Sequence, residues 1–147
     1  MAMKVLVATD GSECSREAIE RLPALVPLDD LEAVVISVAP IPVPADVTGM
    51  GVPFADYNRL IDEVQVEARQ HADEAAHALE ARGIRTRTVI GQGDAAHGIL
   101  ELAGTEKPDL IVVGSHGRSG LKKLLLGSVS ARIVSDAVAP VLVIKAR

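Results

Sequence analysis

The sequence predicts a single α/β domain in which a doubly wound, five-stranded parallel sheet has the strand order 3-2-1-4-5. Five apolar or alternating stretches are separated by segments of helical period, which favours parallel pairing with right-handed crossovers. The first and fourth stretches are continuously apolar, as expected of central strands, whereas the third has one polar face, as expected near a sheet edge. At 147 residues the chain is long enough for one domain with a substantial core.

The first half of the chain predicts two buried strands, a helix between them and a long loop. Residues 4–8 form a short β-branched run typical of a buried strand. The turn that follows ends at Ser12, a favourable N-cap, so a helix is expected next. Residues 31–38 predict the second strand. Because prolines and glycines crowd the sequence after it, residues 39–56 are expected to form one long loop.

The middle of the chain predicts the longest helix and an edge strand. Between about residues 57 and 82, apolar residues recur every 3.6 positions, and Gly83 follows as a stop signal. Residues 84–90 then alternate between apolar and polar, which indicates a strand with one wetter face. Residues 91–93 are expected to turn the chain.

The last third predicts two more strands, each paired with a helix. Asp94 is a favourable cap for a short helix that would end at Gly104. The remaining predicted elements are a buried strand at 110–113, a helix at 128–136 and a last strand at 141–145.

The two central strands end in turn-forming sequences that the strand order brings together. The order reverses direction between strands 1 and 4, and ligands of such sheets bind beyond the carboxyl ends of the strands at that point. Those ends carry residues 10–12 and 114–117. Glycine lets the backbone approach an anion closely, and the helix that begins near Ser128 would present its N–H groups. The sequence therefore predicts a phosphate-binding crevice.

Composition argues against several other functions. The formal charge of −5 disfavours a general affinity for nucleic acids or anionic membranes, and one Phe, one Tyr and no Trp provide no platform for stacking bases. A single cysteine, Cys14, excludes an intrachain disulfide and suits the reducing cytoplasm; it could be a half-buried structural residue or a stabilised thiolate. The sequence contains no zinc-ligand spacing, signal-peptide pattern or membrane-length apolar run.

The spacing Gly114-x2-Gly117-x9-Gly127-Ser128 resembles the nucleotide-binding motif G-x2-G-x9-G-(S/T) of the universal stress protein family. The Asp-Gly-Ser after the first strand and the C-terminal Pro-Val-Leu-Val-Ile fit the same family. The resemblance covers residues 1–147 as one universal stress protein domain and implies a Rossmann-like fold of the adenine nucleotide alpha hydrolase type. Because the whole motif is kept, it implies the ATP-binding branch, with Mg²⁺ accompanying the phosphates.

The resemblance also implies which residues bind the nucleotide. Asp10 and the main chain around Val38 would hold the adenosine end. Gly114 and Gly117 would approach the ribose and phosphates, and Gly127, Ser128 and Ser130 would hold the phosphate tail. The full expected set is Ala8, Thr9, Asp10, Val38, Val113, Gly114, Ser115, His116, Gly117, Arg118, Gly127, Ser128, Val129 and Ser130.

No catalytic set accompanies the motif. The sequence has no supported Ser/His/Asp arrangement, Walker A lysine or S-G-G-x-D-S loop, so any ATP hydrolysis is expected to be slow. The expected function is a regulatory, ATP-dependent switch in stress or growth arrest. The alternatives are a slow ATPase or an enzyme acting on an adenylated substrate, and an interaction module that binds no nucleotide.

Two further features remain open to more than one interpretation. Arg118, Lys122 and Lys123 could offset phosphate charge or form a solvated positive patch. The apolar last strand, residues 141–144, would lie at a sheet edge, and exposed apolar edges are usually covered. Because members of the resembled family pair these edges across a two-fold axis, a homodimer is expected.

Overall fold

The computed structural model describes residues 2–43, 51, 53–117 and 126–146. Within them, five parallel strands form one sheet in the order β3-β2-β1-β4-β5. The elements in chain order are β1 (Met3–Ala8), α1 (Glu13–Leu25), β2 (Leu31–Ala39), α2 (Phe54–Glu80), β3 (Arg85–Gln92), α3 (Ala95–Glu106), β4 (Leu110–Gly114), α4 (Ser128–Asp136) and β5 (Val141–Ile144). The predicted strand order is confirmed.

Two aliphatic cores cover the faces of the sheet. Val5 and Val7 of β1 pack with α1 and α2, whereas Leu6, which points the other way, packs with Ile99 of α3 and Ile133 of α4. All three β1 side chains are fully buried. Each buried aliphatic side chain of this size contributes roughly 1.5–3 kcal/mol of hydrophobic free energy, which explains the continuous apolar run of the central strand.

The region between β2 and α2 is shorter than the predicted loop at both ends. Ala39 is buried and pairs with Gln92 of β3, so it belongs to the strand. Pro53 stands at the N-cap of α2, where its missing N–H is not needed, and its carbonyl accepts hydrogen bonds from the N–H groups of Asp56 and Tyr57. Much of the remaining loop, residues 44–50 and 52, lies outside the described residues.

Other boundaries moved for similar reasons. Gly91 was expected in a turn but belongs to β3, because it pairs with Val38 of β2. Of the two glycines in the expected turn at 91–93, Gly93 alone has a left-handed φ, of 104°. The helix predicted to stop at Gly104 continues to Glu106. It ends when Lys107 adopts the left-handed conformation and donates its N–H to the Ala103 carbonyl.

The parallel sheet places the N-termini of α3 and α4 at the edge where the strands end. Asp94 caps α3 by accepting a hydrogen bond of 2.8 Å from the N–H of His97. The same carboxylate pairs with Arg132 of α4 at 2.8 Å, so the two helices are joined near that edge. None of the described helices has the length and apolar character needed to cross a membrane.

Candidate functional site

A cavity of about 250 Å³ opens at the carboxyl edge of the sheet, between the ends of β1 and β4. This is the point where the strand order reverses, as the sequence predicts for a ligand crevice. The predicted site residues that line it are Ala8, Thr9, Asp10, Val38, Val113, Gly114, His116, Gly117, Gly127, Ser128, Val129 and Ser130. Of the remaining two, Ser115 does not line the cavity, and Arg118 lies outside the described residues, as do Lys122 and Lys123.

Ser12, which the sequence places at the crevice but outside the expected binding set, also lines the cavity. Sequence reasoning missed four other lining residues: Ser15, Ile36, Ala95 and Ile99. The repeat of side-chain directions along strands and helices could have identified most of them. Ile36 lies two positions before Val38 in β2 and therefore on the same face. Ala95 and Ile99 are four apart on α3, so they share one side of the helix. Ile36, Ala95 and Ile99 make the side of the cavity formed by β2 and α3 apolar.

The Asp10 carboxylate is fixed by the turn that follows β1. Its Oδ1 accepts a hydrogen bond of 2.9 Å from the N–H of Ser12, which closes an Asx turn. The buried hydroxyl of Ser15 lies 3.2 Å from the same oxygen and 3.3 Å from Oγ1 of Thr9. The carboxylate thus has a set orientation at the edge of the cavity.

Gly117 lies directly against this carboxylate. A Cβ atom built on Gly117 would be 2.7 Å from Oδ2 of Asp10, closer than such atoms approach. Glycine therefore lets the loop after β4 approach the turn after β1 without displacing the Asp10 carboxylate. The contact brings the two walls of the predicted crevice together.

Gly114 has a different reason to be glycine. A Cβ there would lie 2.7 Å from Cβ of Cys14 and 2.9 Å from the backbone nitrogen of Ser15. The end of β4 thus packs on the first turn of α1, and no side chain fits between them. Close packing explains this glycine without reference to a ligand.

Ser115 joins the separate parts of the glycine motif through its main-chain oxygen. This oxygen accepts hydrogen bonds from the N–H of Gly127, at 2.6 Å, and from the hydroxyl of Ser130, at 2.7 Å. The Ser130 hydroxyl also lies 3.1 Å from the Gly127 carbonyl. The hydroxyl of Ser130, one of the residues expected to hold the phosphate tail, is buried and engaged within the protein.

The N-terminus of α4 faces the cavity without a side-chain cap. Gly127 occupies the N-cap and has no side chain, so the N-cap residue itself supplies no side-chain cap for the first turn. The residues of this turn, Ser128, Val129 and Ser130, line the cavity. Uncapped N–H groups and the helix dipole favour an anion at such a position.

Cys14 is half-buried behind the loop, and Ser115 accounts for part of its environment. Its Sγ is 3.6 Å from Oγ of Ser115, which in turn lies 3.1 Å from Nδ1 of His116. Burial raises the pKa of the thiol, but hydrogen bonds from Ser115 and from the backbone of Ala146 and His116 outweigh burial, so the pKa of Cys14 is lowered. Cys14 is thus half-buried, as one of the two interpretations expects, and its hydrogen bonds also favour ionisation of the thiol.

The described part of the chain contains no cluster of three or more His, Cys, Asp or Glu side chains that could hold a metal ion. The ring of His71 is partly buried under the turn after β1, where a Cβ built on Gly11 would clash with it.

The fold and the crevice at its switch point define an α/β protein of the doubly wound, Rossmann-like class. The Universal stress protein family model matches residues 1–145, and the chain belongs to this family. It is 35% identical to Universal stress protein MJ0531 of Methanocaldococcus jannaschii over 97% of this chain and 81% of that protein. Universal stress protein YxiE of Bacillus subtilis is 32% identical over 99% of this chain and its own full length.

Solved structures agree with this assignment. The structure of protein MJ0577 superposes with a TM-score of 0.82 at 28% identity, covering all of this chain and 98% of that one. A family member from Arabidopsis thaliana, solved with AMP bound, has a TM-score of 0.71 at 22% identity over 99% of this chain and 92% of that one. The family and the fold that the sequence predicts are thus confirmed.

Proposed function

We propose that this protein binds ATP in the cavity between β1 and β4 and acts as a nucleotide-dependent regulatory switch in stress or growth arrest. One observation carries the proposal: a single cavity combines an apolar wall with the N-terminus of a helix whose N-cap residue, Gly127, has no side chain. A nucleotide has the matching division, because its base is flat and largely apolar on its faces whereas its phosphates are anionic.

The apolar wall suits the base. Ile36 and Val38 of β2 and Ile99 of α3 line this side of the cavity. Apolar walls with a few fixed polar groups are typical of small-molecule sites. The Val38 main chain, at the rim of the sheet, is where the edge of the base would find hydrogen-bonding partners.

The first turn of α4 suits the phosphates. Ser128 and Val129 are exposed and line the cavity, and the N–H groups of a first helical turn have no partner within the helix. Because the chain carries a net charge of −5, a polyanion needs such local attraction. Mg²⁺ would neutralise part of the phosphate charge with water as most of its shell, as this ion usually binds.

The fixed carboxylate of Asp10 suits the ribose. It stands at the end of β1, which lies between β2 and β4 in the sheet, and Ser12 and Ser15 hold its orientation. A carboxylate accepts hydrogen bonds from paired hydroxyl groups such as those of a ribose. Supporting the choice of adenine, the Arabidopsis family member with this fold was solved with AMP.

We further propose a cytoplasmic homodimer that pairs through β5. In the described chain, β5 is an edge strand whose only partner is β4, so one row of its backbone groups is open for pairing. The free Cys14 thiol suits a reducing compartment.

Calorimetric titration of the purified protein with ATP, ADP, AMP and cyclic AMP, with GTP as the control, tests the nucleotide proposal. Saturable binding of ATP, stronger than that of GTP, is expected. Parallel measurement of ADP release would separate a switch from a slow ATPase. Absence of ATP binding at millimolar concentration, by calorimetry and by equilibrium dialysis, would refute the proposal.

A further inference from the structure

The side chain of Val38 is seated between two glycines from different elements. Gly91 of β3 is its partner in the strand register, and Gly98 lies on α3 above them. A Cβ built on Gly91 would be 3.2 Å from Cγ2 of Val38, and one on Gly98 would be 3.3 Å from the same methyl. Both distances are tighter than ordinary carbon contacts, so a side chain at either position would press on Val38.

Neither glycine is explained by its backbone. The described glycines with left-handed φ are Gly11, Gly51, Gly83 and Gly93, whereas Gly91 lies in a regular strand and Gly98 in a regular helix. Glycine is the poorest helix former apart from proline, so Gly98 weakens α3 locally. Within the described structure, the contact that a side chain at 98 would make is with Val38.

The side of Val38 that faces away from the two glycines borders the cavity. The two glycines bound its methyl groups on the side of β3 and α3, and the side chain lines the cavity beside Ile36 and Ile99. Valine is stiff at χ1, so it relieves pressure by moving as a unit and not by rotating freely. Added atoms at position 91 or 98 would therefore drive Val38 into the cavity.

We propose that Gly91 and Gly98 are positioning residues that set the depth of the apolar side of the nucleotide site through Val38, and so keep it wide enough for a purine. This inference rests on the proposed nucleotide binding. The consequence depends on the base. A shallower cavity beside Val38 should lower the affinity for a two-ring base more than for a one-ring base.

The variant Gly98→Ala tests this inference, and Gly104→Ala is the matched control. Gly104 lies in the same helix, and a Cβ there would have no described atom within 4 Å. Gly104→Ala should raise the thermal midpoint, because alanine favours helix. In Gly98→Ala the contact with Val38 offsets this gain, so this variant should stay folded with a midpoint near that of the wild-type protein. Only Gly98→Ala should weaken ATP binding, by about tenfold, since overpacking of this size strains a close-packed wall. Binding of CTP should fall by a smaller factor.

Two further variants test whether displacement of Val38 causes the loss of affinity. Gly91→Ala, on the other side of the seat, should weaken ATP binding in the same direction. Adding Val38→Ala to Gly98→Ala removes the displaced methyl groups and should restore ATP affinity relative to Gly98→Ala alone. A change in folding would not produce this rescue.

The outcomes separate this inference from the proposed function. If the wild-type protein binds ATP but Gly98→Ala binds it as well as Gly104→Ala does, the inference is wrong and the proposed function stands. Equal losses for ATP and CTP, or a double variant no better than Gly98→Ala, would also overturn the inference. If the wild-type protein binds no nucleotide, both proposals fail.

Discussion

The hydroxyl of Ser130 donates a hydrogen bond of 2.7 Å to the main-chain oxygen of Ser115. The two residues are fifteen apart in sequence, and the bond ties the first turn of α4 to the end of β4. With the Gly127 N–H on the same oxygen, it fixes the α4 terminus against the loop that carries Gly117. The motif is thus held together by a buried contact of its own residues.

Ser130→Ala should therefore destabilise the protein by about 1–2 kcal/mol, because a buried carbonyl loses one of its two donors. Urea denaturation followed by circular dichroism measures this difference. Ser128→Ala, on the exposed side of the same turn, is the control and should change the free energy of unfolding little. Equal stability of the Ser130 variant and the wild-type protein would contradict the structural role given to this hydroxyl.

Gly117→Val should abolish ATP binding while leaving the fold nearly native. The new side chain would meet Oδ2 of Asp10, which Ser12 holds in place from the other side, so the carboxylate must leave its position. Calorimetry measures the binding and circular dichroism the fold. Gly104→Val, at a helical glycine with no described neighbour within 4 Å of an added Cβ, controls for the branched side chain itself. A folded Gly117 variant with wild-type affinity would refute the site.

The sequence predicts the order of the sheet and the crevice, because both depend on local patterns. Continuous apolar runs identify the central strands, and the glycine spacing identifies the loop after β4. Ends of elements are harder, because distant partners decide them. Ala39 extends β2 only because Gln92 lies beside it, and α3 passes Gly104 because Lys107 supplies the left-handed end.

The same limit applies to the roles of site residues. Nothing within the motif shows that Gly114 is required by Cys14, which is a hundred positions away, or that the Ser130 hydroxyl is used internally. The apolar wall from α3 is also invisible until the helix is packed on the sheet. Spacing can identify which residues assemble, but three-dimensional contacts decide which of their groups remain available to a ligand.

Glu106 should make the stability of the protein depend on pH in the acidic range. Its side-chain hydrogen bonds to Arg87, at 2.6 Å, and to Lys4, at 3.2 Å, lower the pKa of its carboxyl group in the folded state. A lowered folded pKa gives stability that is present above the unfolded pKa, near 4.5, and lost as pH falls through the folded value.

Glu106→Gln should thus be less stable than the wild-type protein at neutral pH, by about 1 kcal/mol at most. The difference should shrink once the pH drops below 4, as thermal unfolding across a pH series would measure. Glu101→Gln, on the exposed surface of the same helix, is the control and should track the wild-type curve. A stability gap that stays constant down to low pH would be inconsistent with the ion pairs.

A dimer through β5 should be sensitive to charge beside that strand. Val138 is fully exposed three positions before β5, so Val138→Lys leaves the core intact but places two like charges near the two-fold axis. Light scattering at micromolar concentration should give a dimer for the wild-type protein and a larger monomer fraction for the variant. Val66→Lys, on α2, should remain dimeric. A wild-type monomer under these conditions would rule the dimer out.

Cys14 should ionise, and so become reactive, at a lower pH than an ordinary thiol. The rate of alkylation by iodoacetamide follows the thiolate fraction, so its pH profile should have a midpoint below 9.0. Burial acts against ionisation, and the lowering depends on the hydrogen bonds from Ser115 and from two backbone groups that outweigh it. Ser115→Ala should thus move the midpoint upward. Ser128→Ala, at a residue that none of the described hydrogen bonds joins to Cys14, should leave the midpoint in place. If removing the Ser115 hydroxyl does not raise the midpoint, that bond does not stabilise the thiolate.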